Sequence, residues 1–210
     1  MKYTAELVQL HIDESLVALR KSALERGIPV ADDESLNYLL LNVAAFQPKK
    51  ILEIGTAVGL SALAMLSVCK NAHITTIECE EERWIEAKQN FRSYGVSEQI
   101  TAHLGDAGEI LNMMSGTFDF IFLDGPKAQY VHYLPDLKRL LNKGGILFSD
   151  DVLLYGWVDG KEPTPQKRHS IVDKIRLYLQ TLSADKDFIT SVIDIGDGVA
   201  VSVLTDKKEN

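Results

Sequence analysis

The chain has 210 residues, 46% of them hydrophobic and 25% charged, the composition of a globular domain with material for one large core. Its formal net charge of -8 excludes a generic polyanion binder, because phosphate contacts need clustered Lys and Arg. No apolar run approaches the roughly 20 residues that span a bilayer, and the first residues carry no apolar leader core, so a cytoplasmic protein without a membrane anchor is expected.

The stretch up to Phe46 reads as helical, with Leu36, Leu39, Leu40, Val43 and Ala44 at helical spacing. Asp32, Asp33 and Ser35 offer capping chemistry there, after a short extended break at Ile28-Pro29-Val30. From Lys50 strands and helices alternate. The expected strands are Ile51–Ile54, His73–Ile77, Ile100–Leu104, Phe118–Leu123 and Ile146–Ser149. The expected helices are Leu60–Cys69, Glu81–Tyr94, Ala107–Met114, Tyr130–Leu141 and Lys167–Leu182. The helix Tyr130–Leu141 is expected to stop at Lys143-Gly144-Gly145, glycine being the common C-terminal stop. Phe188–Ile195 and Val199–Leu204 flank Gly196-Asp197-Gly198 and read as a closing hairpin.

Such alternation builds βαβ units and an α/β fold with a doubly wound, mostly parallel sheet. The hairpin adds an antiparallel strand, expected at an edge. One domain is expected, with N-terminal helices over 1–46 and the α/β core over 47–206, and disorder only in the tail Lys207–Asn210. Cys69 and Cys79 lie in no metal-ligand or CxxC pattern, and both read as buried free thiols in a reducing compartment.

A doubly wound sheet takes its ligand beyond the carboxyl ends of its strands, at the topological switch point. The residues just after each strand are Gly55–Ser61, Glu78, Asp106, Asp124–Lys127 and Asp150-Asp151. Polar loops alone put acids at such places, but here every strand end carries a glycine, an acid or both. Gly55-Thr-Ala-Val-Gly59 is spaced GxxxG, not the GxGxxG of dinucleotide binders, and no Gly-Lys-Ser/Thr follows. Glu78 ends the second strand, where an acid can take both ribose hydroxyls. An NAD enzyme would also place one there, but the glycine spacing argues against that class. A plain packing turn at Gly55–Gly59 stays open.

Glu53-Ile-Gly-Thr-x-x-Gly-x-Ser61, Ile77-Glu78, Gly105-Asp-Ala107, Phe122-Leu-Asp124-x-x-Lys127-x-x-Tyr130 and Ser149-Asp-Asp-Val152 are together similar to the cation-dependent O-methyltransferases, the family of catechol and caffeoyl-CoA O-methyltransferases. Ile28-Pro29-Val30, Gly156-Trp157-Val158, Lys167-Arg168-His169 and the ending Ile195–Ser202 resemble a bacterial subgroup that methylates tRNA 5-hydroxyuridine. The resemblance implies a Rossmann-like methyltransferase fold and S-adenosylmethionine as cofactor. It implies that Glu53 and the turn Gly55–Gly59 cradle the methionine part of that cofactor, that Ser61 bonds its carboxylate at a helix start, that Glu78 holds the ribose, that Asp106 and Ala107 face the adenine, and that Ala31 and Asp124 lie beside it.

The resemblance also implies a metal site of Asp124, Asp150 and Asp151 for Mg2+, or Mn2+ or Ca2+ in its place. Hard oxygens suit such ions, and a hydroxyl next to one loses its proton more readily. The family usually has Asn at the position of Asp151. That departure leaves open whether Asp151 ligates at all, and a solvated loop with a capping aspartate is the plain alternative. Lys127, with Asp124, is implied to be catalytic, as a base or an electrostatic helper; a nearby cation would lower its pKa, which suits a base. An exposed lysine at a helix start is the alternative.

The acceptor rests on less. Lys161, Lys167, Arg168, Lys174 and Arg176 form a basic concentration, with Lys167, Arg168 and Lys174 expected on one helix face. It fits a tRNA anticodon arm, with Tyr155 and Trp157 stacking on a base. It is equally a solvated helix face. The readings that follow are O-methylation of tRNA 5-hydroxyuridine, O-methylation of a small catechol-like or caffeoyl-CoA-like diol, and a non-catalytic cofactor or RNA-binding module. A homodimer is expected, paired through Leu7, Leu10 and Leu16.

Overall fold

The computed structural model describes residues 9–205. Leu7, the tail Lys207–Asn210 and the end of the expected core at 206 lie outside them. The chain divides into two compact units, Met1–Ala107 and Gly108–Asn210.

The first unit opens with helices α1 (Glu14–Glu25) and α2 (Asp33–Phe46). Of the three capping candidates for α2, Asp32 is the cap: its Oδ1 accepts the N–H groups of Glu34 and Ser35 at 2.8 and 2.9 Å. Leu36, Leu39, Leu40 and Val43 are all buried, as their helical spacing predicts, while Ala44, placed with them by the same spacing, is exposed. Then come β1 (Lys50–Ile54), α3 (Leu60–Val68), β2 (His73–Glu78), α4 (Glu81–Ser93) and β3 (Ile100–Leu104). The strands are parallel, in the order β3-β2-β1. In β1, Ile51, Leu52 and Ile54 are each at most 1% exposed and Glu53 among them is also buried, the pattern of a strand covered on both faces. Leu16 on α1 is also in the core, so it is not spare surface for a dimer contact. Cys69 is buried but Cys79 is exposed, because it lies past the last residue of β2.

The second unit contains most of α5 (Ala107–Met113), then β4 (Phe118–Leu123), α6 (Tyr130–Leu140), β5 (Leu141–Ser149), α7 (His169–Ala184), β6 (Phe188–Ile193) and β7 (Val199–Leu204). The strand order is β4-β5-β7-β6. β4 and β5 are parallel, and β7 runs antiparallel to both its neighbours. The hairpin is therefore as expected, but its antiparallel strand is internal, and β6 forms the edge.

Two local expectations fail for physical reasons. Lys143-Gly144-Gly145 does not stop α6; it belongs to β5, which starts at Leu141 and not at Ile146. The glycines serve an irregularity in the β4–β5 register. Gly144 has φ 76°, and a Cβ on Gly145 would meet the carbonyl oxygens of Asn142 and Asp119 at 2.7 and 2.9 Å. Second, Lys167 and Arg168 precede α7, in a 3-10 turn over Gln166–Arg168, so they share no helix face with Lys174. Among the described residues no helix is long and apolar enough to cross a membrane.

Candidate active site

In the first unit the chain turns from β1 into α3 through Gly55–Gly59. Gly55 and Gly59 have φ of 102° and 83°, which only glycine adopts freely, and Ala57 is forced to 45°. Gly59 is also needed for packing, since a Cβ there would lie 2.4 Å from the Phe91 ring of α4. Glu78, at the end of β2, holds this turn. Its Oε2 accepts the Ala57 N–H at 2.8 Å, and its Oε1 accepts those of Cys79 and Glu80, each at 2.9 Å. The carboxylate thus ties two strand ends and keeps a lone pair on Oε2 for a hydroxyl donor.

Glu53 is fully buried. Ser61 donates to its Oε1 at 2.5 Å and Thr76 to its Oε2 at 2.6 Å. Thr76 and Thr56 are 2.6 Å apart. Since Thr76 spends its proton on Glu53, Thr56 must donate to Thr76, so the hydroxyls all point toward the one acid. The single proton of the Ser61 hydroxyl goes inward to Glu53. Ala31 is half-buried, and its carbonyl accepts from Arg20 Nη2 at 3.1 Å, while the same nitrogen lies 2.9 Å from Asp33. Asp106 is exposed just before α5, and Ala107 is its buried first residue.

In the second unit, Asp124 follows β4 and Asp150 follows β5. The two strand ends are fastened by the Asp150 N–H, which donates to the Leu123 carbonyl at 3.0 Å. The Tyr130 hydroxyl, on a buried side chain, bridges the carbonyls of Leu123 and Asp150 at 2.9 and 3.2 Å. Tyr130 packs edge-on against Tyr178 of α7, whose hydroxyl meets Ser149 at 2.6 Å. Sequence reasoning gave Tyr130, Tyr178 and Ser149 no role. The motifs Asp124-x-x-Lys127-x-x-Tyr130 and Ser149-Asp-Asp-Val152 contained two of these residues, and Tyr178 stood in neither.

Lys127 Nζ lies 2.5 Å from Asp124 and 3.0 Å from Asp151, and its side chain is 14% exposed. Burial opposes its charge, but Asp124, Tyr130 and Asp151 outweigh burial and hold it protonated well above the usual lysine range. Asp150 is 1% exposed, and its Oδ1 accepts the Asp151 N–H at 2.9 Å. Burial, then repulsion from Asp124 and Asp151, pushes its carboxyl up to about 8. Asp151 has φ 56°. Among the described residues no three His, Cys, Asp or Glu side chains are arranged to hold a metal ion; two of the three expected ligands close on Lys127.

After Asp151, Tyr155 and Trp157 come together with ring centroids 5.0 Å apart, Tyr155 being 62% exposed. Two of the five residues of the basic concentration, Lys161 and Arg176, are engaged within the protein. Lys161 pairs with Asp194 at 2.6 Å and Asp159 at 3.0 Å. Arg176 donates to the carbonyls of Val158 and Trp157. Lys167 and Arg168 are exposed.

The O-methyltransferase family model matches residues 8–205. A catechol O-methyltransferase from Niastella koreensis is 28% identical, covering 91% of this chain and 90% of its own. A solved Staphylococcus aureus structure, assigned provisionally to caffeoyl-CoA O-methyltransferase activity, is 32% identical, covers 97% of this chain and 98% of its own, and superposes with a TM-score of 0.87. The O-methyltransferase TomG of Streptomyces achromogenes, solved with S-adenosylmethionine, shares the fold at 24% identity, with a TM-score of 0.81 and coverage of 97% and 95%. The fold is the α/β Rossmann-like methyltransferase fold, and the chain belongs to the O-methyltransferase family.

Proposed function

We propose that the chain moves a methyl group from S-adenosylmethionine to a hydroxyl oxygen of a planar diol of the catechol or caffeoyl-CoA kind, with a divalent cation, Mg2+ first, at Asp124, Asp150 and Asp151. The observation that carries this reading is the set of carboxylates at the ends of β4 and β5, with the Lys127 ammonium drawn between two of them. The donor set fits a hard divalent ion in its chemistry. The buried Asp150 carboxyl is disfavoured as an anion by its two neighbours, which is the strain a cation relieves, and Lys127 already stands there as a cation.

When bound, S-adenosylmethionine supplies the sulfonium methyl, and the cation supplies Lewis acidity that makes the acceptor hydroxyl easier to ionise. The protein's own groups do the rest. The turn Gly55–Gly59 and Glu78 hold the donor, with Glu53 fixing Ser61 and the hydroxyls around the turn, and Ala31, Asp106 and Ala107 completing the surround. Asp124 and Asp150 fix the acceptor end. Lys127, charged beside Asp124 and Asp151, stabilises the developing oxyanion, and the hydroxyl proton passes to solvent.

A second reading is 5-hydroxyuridine in a tRNA anticodon arm. It is favoured by the exposed Lys167, Arg168 and Tyr155, and weakened by the engagement of Lys161 and Arg176 in internal bonds. One experiment separates these: transfer of labelled methyl from S-adenosylmethionine to a catechol, to caffeoyl-CoA and to bulk tRNA, with Mg2+ and with chelator. The proposal expects diol methylation that chelator abolishes. Methylation of tRNA alone replaces it with the second reading, and bound cofactor with no transfer to any acceptor replaces both with a non-catalytic module. The homodimer belongs to the same proposal, and a monomer mass by light scattering would remove it.

A further inference from the structure

The segment Asp151–Val158 holds an unfavourable backbone. Asp151, Leu154 and Tyr155 take left-handed φ of 56°, 45° and 58° without being glycine. Such conformations persist only where their surroundings over-determine them. Three anchors do this here. The β6–β7 turn accepts the N–H of Val152 at Gly198, at 2.9 Å, and those of Leu153 and Leu154 at Asp197, at 2.8 and 3.2 Å. The Leu153 side chain fills the space that a Cβ on Gly198 would need, its Cγ only 2.3 Å from that position. The third anchor comes from α7. Arg176 Nε donates to the Val158 carbonyl at 3.0 Å, and its Nη2 to the Trp157 carbonyl at 3.2 Å.

A surface arginine ordinarily faces water or a neighbouring acid. Arg176 has Asp173 one turn away, but only at 3.9 Å, and aims its donors at two consecutive main-chain carbonyls 19 and 18 residues back. A planar fork can serve two such carbonyls at once, whereas a lysine ammonium cannot hold both in one geometry. The residues so fixed adjoin an exposed Tyr155 ring stacked obliquely on Trp157.

We propose that Arg176 is a positioning residue: by fixing the Trp157 and Val158 carbonyls it sets the Tyr155–Trp157 ring pair as a stacking platform for the flat face of the acceptor. The platform rests on the reading above that the acceptor is planar; the anchoring does not.

The test compares the full-length wild type with Arg176→Met and Arg176→Lys. The chain has two tryptophans, Trp84 and Trp157, so 5-fluorotryptophan labelling gives two 19F resonances, assigned with Trp84→Phe. In both variants the Trp157 resonance shifts or broadens while that of Trp84 stays in place. KM for the acceptor rises about tenfold, the loss of one stacking contact, while kcat and KM for S-adenosylmethionine change less than twofold. An unmoved Trp157 resonance in Arg176→Met overturns the positioning role. A moved resonance with an unchanged acceptor KM overturns the platform. If the wild type methylates no planar acceptor, the functional reading fails and the platform with it, while the 19F result still decides the anchoring.

Discussion

The Lys127 ammonium lies 2.5 Å from a carboxylate oxygen of Asp124, and the pair is largely shielded from water. It is the internal counter-charge of three clustered acids. Lys127→Met should therefore lower the stability of cation-free protein by about 3 kcal/mol, the scale for stripping a partner from a buried pair. Urea unfolding with chelator and with Mg2+ checks this: Mg2+ should recover more stability in the variant than in the wild type. For catalysis, a kcat of Lys127→Ala within about threefold of wild type would remove the role given to Lys127.

Asp150→Asn should act in the opposite sense on stability. The amide keeps the acceptor for the Asp151 N–H and needs no proton, whereas the Asp150 carboxyl, ionised in the unfolded chain and pushed up to about 8 by burial and two neighbours in the folded one, must take one up on folding at neutral pH. We expect a gain of about 1–2 kcal/mol without cation, together with at least tenfold weaker Mn2+ binding by calorimetry. An unchanged Mn2+ affinity would place any metal elsewhere.

Ser61→Ala tests where that hydroxyl works. Its proton goes to the buried Glu53, and deleting a hydrogen bond to a charged group costs about 1.5–3 kcal/mol. A loss of that size is expected in denaturant melts run without cofactor. A hydroxyl that served only a bound carboxylate would leave the unliganded melt unchanged and weaken cofactor binding alone.

Ala57→Gly should stabilise the chain by roughly 0.5–1 kcal/mol. The left-handed φ of 45° costs an alanine about 1–2 kcal/mol, and glycine gives part of that back through its freer unfolded state. Thermal melts of the two proteins decide it, and a lowered Tm would show that the Ala57 methyl is held by packing.

Much of the fold was readable because its strand segments are rich in apolar residues and closed by glycine or acid. The run Ile51–Ile54 and the limits of Ile100–Leu104 and Phe118–Leu123 follow from such stretches; β1 and β4 are buried along most of their length, β3 only at Ile100. Gly144 and Gly145 were misread because a helix stop and a bulge ask the same thing of the backbone, and only the nearness of Asp119 on β4 separates them. In the candidate site, residue types were legible and partners were not. Nothing in spacing says that Ser61 turns to Glu53, that Lys127 sits between two acids, or that Arg176 bonds to main chain. Those choices depend on which groups each side chain meets once the chain has folded. Lys161 shows the same thing: its charge is visible in the sequence, but its neutralisation by Asp159 and Asp194 is not.

The Tyr130 hydroxyl, shared between the carbonyls of Leu123 and Asp150, works as a splice across the tips of two strands. Because of it, the spacing of the acids that follow is set by sheet geometry and not by loop flexibility. An acceptor cannot widen that gap without breaking a bond in a dry interior. Discrimination between neighbouring and distant hydroxyls then resembles a fixed gauge, cut before any substrate arrives, while adaptation to the rest of the molecule falls to the exposed ring of Tyr155.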